Sequence, residues 1–168
     1  MNRVKCVEAG KAPFSMTQII AIGSRYGLDC RCMSLILAAT DFSPLAQRSV
    51  DYAGHLAASS GAELCLIHIV EPIENPETAD EETRVFHAEL LEKAGLKLAA
   101  EIGRLGRSGV TSRVELGHRV PTLVSLVKDL SPWMLVMGTT LQDWPTTHRV
   151  GIGLQFMVQA VCPVLFVP

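Results

Sequence analysis

The sequence predicts an α/β fold: an open, five-stranded parallel sheet of doubly wound, Rossmann-like form, with helices on both faces. Three observations predict it. Strand-length apolar runs alternate with segments of helical period from Ser34 to the C-terminus, the pattern of parallel strands joined by right-handed crossovers. The run Leu35–Ala39 is continuously apolar, as is the run at residues 134–137, which suits strands covered on both faces. Between the runs stand residues that open and close helices.

Leu35–Ala39 is the first strand, and it stops at Thr40-Asp41-Phe42-Ser43-Pro44. Ser43 is an N-cap, and Pro44 falls at the first helical position, where its missing N–H costs nothing. Ala46, Val50, Ala53 and Ala57 then recur at helical spacing until Gly61. Glu63–Val70 is the second strand. From Glu71 to Glu82 the chain holds six acidic residues with Pro72 and Pro76, a solvated loop turning into a helix N-terminus, where acids are favoured. Leu91, Ala94, Leu98, Ile102 and Leu105 predict a long amphipathic helix ending near Gly106 and Gly109.

Val110, Ser112, Val114 and Leu116 alternate with Thr111, Arg113 and Glu115. That period of two marks a half-exposed strand at a sheet edge. Pro121 is expected to start the third helix, with Leu123, Leu126, Val127 and Leu130 facing inward. Residues 134–137 form the fourth strand, 151–160 the fourth helix, and Val164–Val167 the fifth strand.

Composition narrows the function classes. A 168-residue chain with 48% hydrophobic and 19% charged residues is globular and of one-domain length. The net charge of −2 gives no basic surface for nucleic acid, and no apolar run reaches the roughly 20 residues of a membrane-spanning helix. Residues 1–33 carry +3 and lack periodicity. They are read as a flexible N-terminal extension, or as translated sequence ahead of a working start at Met33, leaving 34–168 as the domain. Five cysteines, with Cys65 and Cys162 in or beside strands, fit reduced thiols in a cytoplasmic protein. Cys30-x-Cys32 has no second pair at zinc-site spacing, so no metal is expected.

The ligand site is expected at the carboxyl end of the fourth strand. There a strand meets a helix N-terminus, whose free N–H groups and dipole favour an anion. Leu135-Val136-Met137-Gly138 and the opening of the next helix at Gly151 frame it.

Four motifs in this order resemble the universal stress protein family over residues 34–168. They are Ile36-Leu-Ala-Ala-Thr-Asp-Phe-Ser43, Leu66-Ile-His-Ile-Val-Glu-Pro72, Leu135-Val-Met-Gly138 and Cys162-Pro-Val-Leu-Phe-Val167. The resemblance implies strand order 3-2-1-4-5 and a homodimer joined through Val164–Val167, whose apolar edge has its own physical motive to pair. Some members bind ATP through G-x2-G-x9-G-[S/T] after the fourth strand; others do not. In this sequence the four positions are Gly138, Leu141, Gly151 and Ile152, so the spacing survives while two residues are replaced. Leu141 brings a β-carbon, and Ile152 removes a hydroxyl donor, so ATP binding is expected to be weak or absent.

The resemblance places Ala39, Thr40 and Asp41 beside the nucleoside and the backbone of Ile69 at adenine; Met137 and Gly138 end the fourth strand at the site, and Gly151 and Gly153 keep backbone N–H groups at the positive end of the helix dipole. Asp41 reads equally as a turn residue before Ser43-Pro44. Arg149 and His148 are candidates for replacing the lost phosphate contacts, with a solvated loop as the plainer reading, and Trp144 could stack on a base.

Elsewhere, His68 reads as a satisfied core histidine, His55 and His87 as helix-surface residues, and Glu115, His118 and Arg119 as a solvated turn. No nucleophile elbow, P-loop or G-x-G-x-x-G is present. The expectation is therefore a dimeric binding and regulatory module of the stress response, without turnover. The alternatives are an ATP- or AMP-binding sensor of the same family and, from another class, an adenine-nucleotide-dependent enzyme such as an AMP-forming transferase.

Overall fold

Nine elements follow one another in the order β1 (Leu35–Ala39), α1 (Pro44–Ser60), β2 (Glu63–Val70), α2 (Glu81–Leu105), β3 (Val110–Leu116), α3 (Arg119–Leu130), β4 (Met134–Gly138), α4 (Ile152–Gln159) and β5 (Val164–Val167). The computed structural model describes residues 34–139 and 152–168. The expectations for residues 1–33, including Cys30-x-Cys32, and for Leu141, Trp144, His148, Arg149 and Gly151 lie outside the described residues.

All strand pairs are parallel, and the sheet order is β3-β2-β1-β4-β5. β1 is central. Leu37 lies opposite Cys65 on one side and Leu135 on the other. Successive side chains of a strand point to opposite faces, and the core divides accordingly. On one face Ile36, Ala38, Leu64, Leu66 and Val136 pack under Val50, Ala53 and Ala57 of α1 and Leu98 of α2. On the other, Leu37, Ile67, Leu135 and Met137 pack under Leu123 and Val127 of α3 and Phe156 of α4.

Local chemistry sets the helix limits. The Ser43 hydroxyl accepts from the Ala46 N–H at 3.2 Å, and α1 closes at Gly61 with φ 72°. Asp80 accepts from the Thr83 N–H at 2.8 Å to open α2, and Gly106 closes it with φ 60°. Both glycines adopt the left-handed conformation that side chains resist.

α3 begins at Arg119, two residues before the expected start at Pro121. Proline is tolerated there because the N–H groups of a first helical turn have no intrahelical acceptor. Its N-cap, His118, makes no side-chain capping bond.

His87 is corrected as well. Instead of lying on the helix surface it is 3% exposed, and its Nε2 accepts the Ile73 N–H at 3.2 Å, tying the acidic loop to α2.

The two sheet edges differ. β3 exposes Thr111, Ser112 and Arg113, whereas β5 is apolar, with Val164, Phe166 and Val167 buried. Among the described residues no strand pairs with the outer edge of either.

Candidate functional site

Because β1 is followed by a helix on one face and β4 by a helix on the other, a crevice opens between their carboxyl ends, where ligands settle in such sheets. A cavity of about 1100 Å³ lies there. It is lined by Ala39, Thr40 and Asp41 after β1, Ile69 on β2, Met137 and Gly138 at the end of β4, and Gly153 at the start of α4. The structure therefore brings together seven of the ten residues picked from sequence. Leu141 and Gly151 fall outside the described residues. Ile152 is the first residue of α4.

The turn after β1 is built by its own side chains. Thr40 is buried; its N–H donates to the Ile67 carbonyl at 2.9 Å, and its hydroxyl accepts from the Phe42 N–H at 3.0 Å. Asp41 Oδ1 accepts from the Ser43 N–H at 2.9 Å. Between them Phe42 has φ 64°, a left-handed geometry that costs a side-chain-bearing residue about 1–2 kcal/mol. These two hydrogen bonds hold it there. Asp41 thus has the turn role and also borders the crevice. Partial burial would raise its carboxyl pKa, but the hydrogen bonds from Ser43, with help from Arg119, outweigh that and hold it below the usual value.

His68 is half-buried, and its Nδ1–H donates to the Thr40 carbonyl at 2.8 Å. Its ring stacks on Phe42, with centroids 4.4 Å apart and planes tilted by 34°. It is a satisfied histidine, as expected, and it also lines the cavity. Phe42 is flanked in turn by Lys97 of α2, whose Nζ sits 5.1 Å from the ring centroid.

Arg119 also reaches the crevice, its Nη2 lying 3.0 Å from Glu71 Oε2. The sequence reading left it in a solvated turn, as it left Glu71 in a solvated loop. Lys93, Lys97 and Arg119 were not picked as site residues, because α2 and α3 reach the crevice only through the tertiary packing. Phe42 was not picked either, although it directly follows the picked residues Ala39, Thr40 and Asp41.

The glycines have packing reasons of their own. A β-carbon on Gly138 would lie 3.1 Å from Leu45 Cγ and 3.2 Å from the Leu45 carbonyl oxygen, because α1 crosses closely over the end of β4. On Gly153 it would meet the Phe166 ring at 2.7 Å, which lets the first turn of α4 lie against β5. Their presence keeps backbone, rather than side chains, at this part of the crevice wall.

Among the described residues no group of three or more His, Cys, Asp or Glu side chains is placed to hold a metal ion, and no helix is long and apolar enough to cross a membrane. Cys65 and Cys162 are free thiols buried on the α3/α4 face. Burial pushes the Cys162 thiol up to about 11 and raises Cys65 in the same direction.

The fold is found in solved structures. Universal stress protein UspA from Lactobacillus plantarum is similar over 80% or more of both chains: 81% of this chain and 98% of that one, with TM-score 0.63 and 22% identity. A universal stress protein family member from Burkholderia pseudomallei matches 81% of this chain and 96% of its own, with TM-score 0.61 and 24% identity. A universal stress protein solved in complex with cAMP matches 80% and 97%, with TM-score 0.59 and 20% identity. No curated protein sequence matches the chain. The model of the universal stress protein family matches residues 33–168, which takes in the whole span of the fold just described, and the chain belongs to that family.

Proposed function

We propose that this chain is a regulatory module of the stress response that binds an adenine mononucleotide in the crevice between β1 and β4 and grips a triphosphate weakly. The observation that carries the reading is the crevice itself. Thr40, Asp41, Ile69, Met137, Gly138 and Gly153 meet around one cavity at the carboxyl ends of the central strands. A universal stress protein of the same fold has been solved with cAMP, a ligand of the same chemical class. The weak triphosphate grip follows from Leu141 and Ile152, which stand where ATP-binding members have glycine and a hydroxyl residue.

The module acts by binding rather than by turnover and works as a homodimer paired through β5. It works in the cytoplasm, where the two free thiols suit a reducing medium.

Thermal melting with AMP, cAMP and Mg-ATP tests the reading. A ligand at ~100 times its Kd stabilises by about 2.7 kcal/mol, so AMP or cAMP is expected to raise Tm at concentrations where Mg-ATP has a smaller effect. An unchanged Tm with all three would end the proposal. Formation of labelled product from ATP would turn it into an enzyme, and sedimentation at monomer mass would remove the dimer.

A further inference from the structure

The cavity at the carboxyl ends of the strands is bordered from both faces of the sheet. Ala39, Ile69, Leu123 and Met137 line it and belong to the α3/α4 face. Side chains of a strand alternate between faces, so His68 and Val70 leave β2 on the opposite side. There α2 brings Leu90, Lys93, Ala94 and Lys97 to the same cavity. The volume of about 1100 Å³ is larger than the roughly 300–1,000 Å³ that a pocket for one small ligand usually measures. None of the residues assigned above to a nucleotide comes from α2.

The α2 side has a chemistry of its own. Val70 and Ala94 are buried and Leu90 is half-buried, so its inner wall is apolar. Two ammonium groups border it. Glu89 engages Lys93 at 3.4 Å, whereas among the described residues no carboxylate pairs with Lys97. The Lys97 ammonium rests instead 5.1 Å from the centroid of the Phe42 ring, which also meets the His68 ring at 4.4 Å. Phe42 holds this place at φ 64°, and backbone strain of that kind collects where the position of a side chain is used. Among the described residues lining the cavity the acids are Asp41 and Glu71. Both are engaged, Asp41 by the Ser43 N–H and Glu71 by Arg119.

We propose that the α2 side of the crevice is a second binding site, which takes a small organic carboxylate with an apolar body. The carboxylate meets Lys97, and Val70, Leu90 and Ala94 receive the hydrocarbon. The Phe42 ring holds the ammonium at the cavity wall, so less side-chain freedom is lost when the anion arrives. One unpaired ammonium beside an apolar wall suits a molecule of single charge, since further charges would be desolvated there without partners. The site draws on the face of the sheet opposite Ile69 and Met137, so it does not depend on the nucleotide reading.

Amide-resolved NMR titration of the full chain with hydrocinnamate tests the inference, with hydrocinnamamide as its uncharged twin. Saturable shifts are expected at Phe42, His68, Leu90 and Ala94. The uncharged twin is expected to bind roughly three- to tenfold more weakly, the loss for a partly solvated charged contact, and added salt should weaken the acid alone. Lys97→Met, which keeps a stem on Phe42 and removes the charge, should bring the acid down to the affinity of its twin. Lys97→Arg should restore it. Lys93→Met should cost less, because Glu89 already engages that ammonium.

Absence of saturable shifts overturns the inference, as does equal affinity for the acid and its twin. So does binding of the acid that Lys97→Met leaves untouched. Shifts centred on Gly138 and Gly153 would put the acid on the α3/α4 side, and displacement of the acid by AMP would mean one shared site. Either result also overturns it, while the nucleotide reading stands.

Discussion

The two faces of the sheet are built by different means. On the α1/α2 face both helices are closed at each end by local chemistry: Ser43 and Gly61 for α1, Asp80 and Gly106 for α2. On the α3/α4 face, α3 opens at His118 without a capping side chain and ends on Ser131, a non-glycine residue with φ 44°. The eight-residue α4 is too short to be stable alone. That face is held by tertiary burial, with Phe156 fully enclosed among Leu123, Val127 and Phe166. The first face thus has a capping side chain and a glycine stop on each helix, and the second, where α3 is capped only by the Ser131 N–H on the Val127 carbonyl, leans more on burial. The crevice lies where the two meet.

Removing the packing of the second face is the strongest way to break this comparison. Phe156→Ala is expected to destabilise the protein by about 3–5 kcal/mol, the cost of a large buried side chain and its cavity, measured by urea unfolding. A loss below 1 kcal/mol would show that α4 contributes little to the fold. The first face should instead respond to its caps. Ser43→Ala is expected to cost about 1 kcal/mol, whereas His118→Ala should stay within about 0.5 kcal/mol, since no capping bond is lost. Equal costs at the two positions would erase the distinction between the faces.

An effect confined to high pH, and absent at neutral pH, concerns the thiols, both of which lie on the α3/α4 face. In the folded protein Cys162 keeps its proton up to about 11, against an ordinary 9.0. Between those values the folded state binds more protons than the unfolded one, so stability is full below pH 9.0 and falls as pH rises toward about 11. Unfolding curves for wild type and Cys162→Ala through this range should diverge in slope. Parallel slopes would show that the thiol is not desolvated as described.

The same contrast explains what could be read from sequence. Ser43-Pro44, Gly61 and the continuous apolar β1 carry their structural reasons within a few residues, and each was legible. The start of α3 was misplaced because Pro121 is a strong local signal, yet it is compatible with any position in a first turn. His87 was misread although the signal was there: it lies seven residues before Ala94 and eleven before Leu98, on the same buried stripe of α2.

The residues of the candidate site that follow strands, such as Thr40, Asp41 and Gly138, were picked because the family resemblance puts nucleotide contacts just after strand ends, and strand ends can be located from apolar runs. Lys97 and Arg119 were not, since nothing local distinguishes a lysine or arginine on a helix facing solvent from one bordering a crevice. Only the crossing of α2 and α3 over the strand ends decides that.

The unequal borders of the sheet also limit how copies can add to one another. Strand-to-strand growth is discouraged at β3, where Thr111, Ser112 and Arg113 meet water, and is left open at apolar β5. Two molecules joined through β5 by a two-fold axis use up that border in both and turn only the wet ones outward. Such an assembly is self-terminating: it stops at a pair, because the two borders left outside are polar ones that resist the addition of another strand.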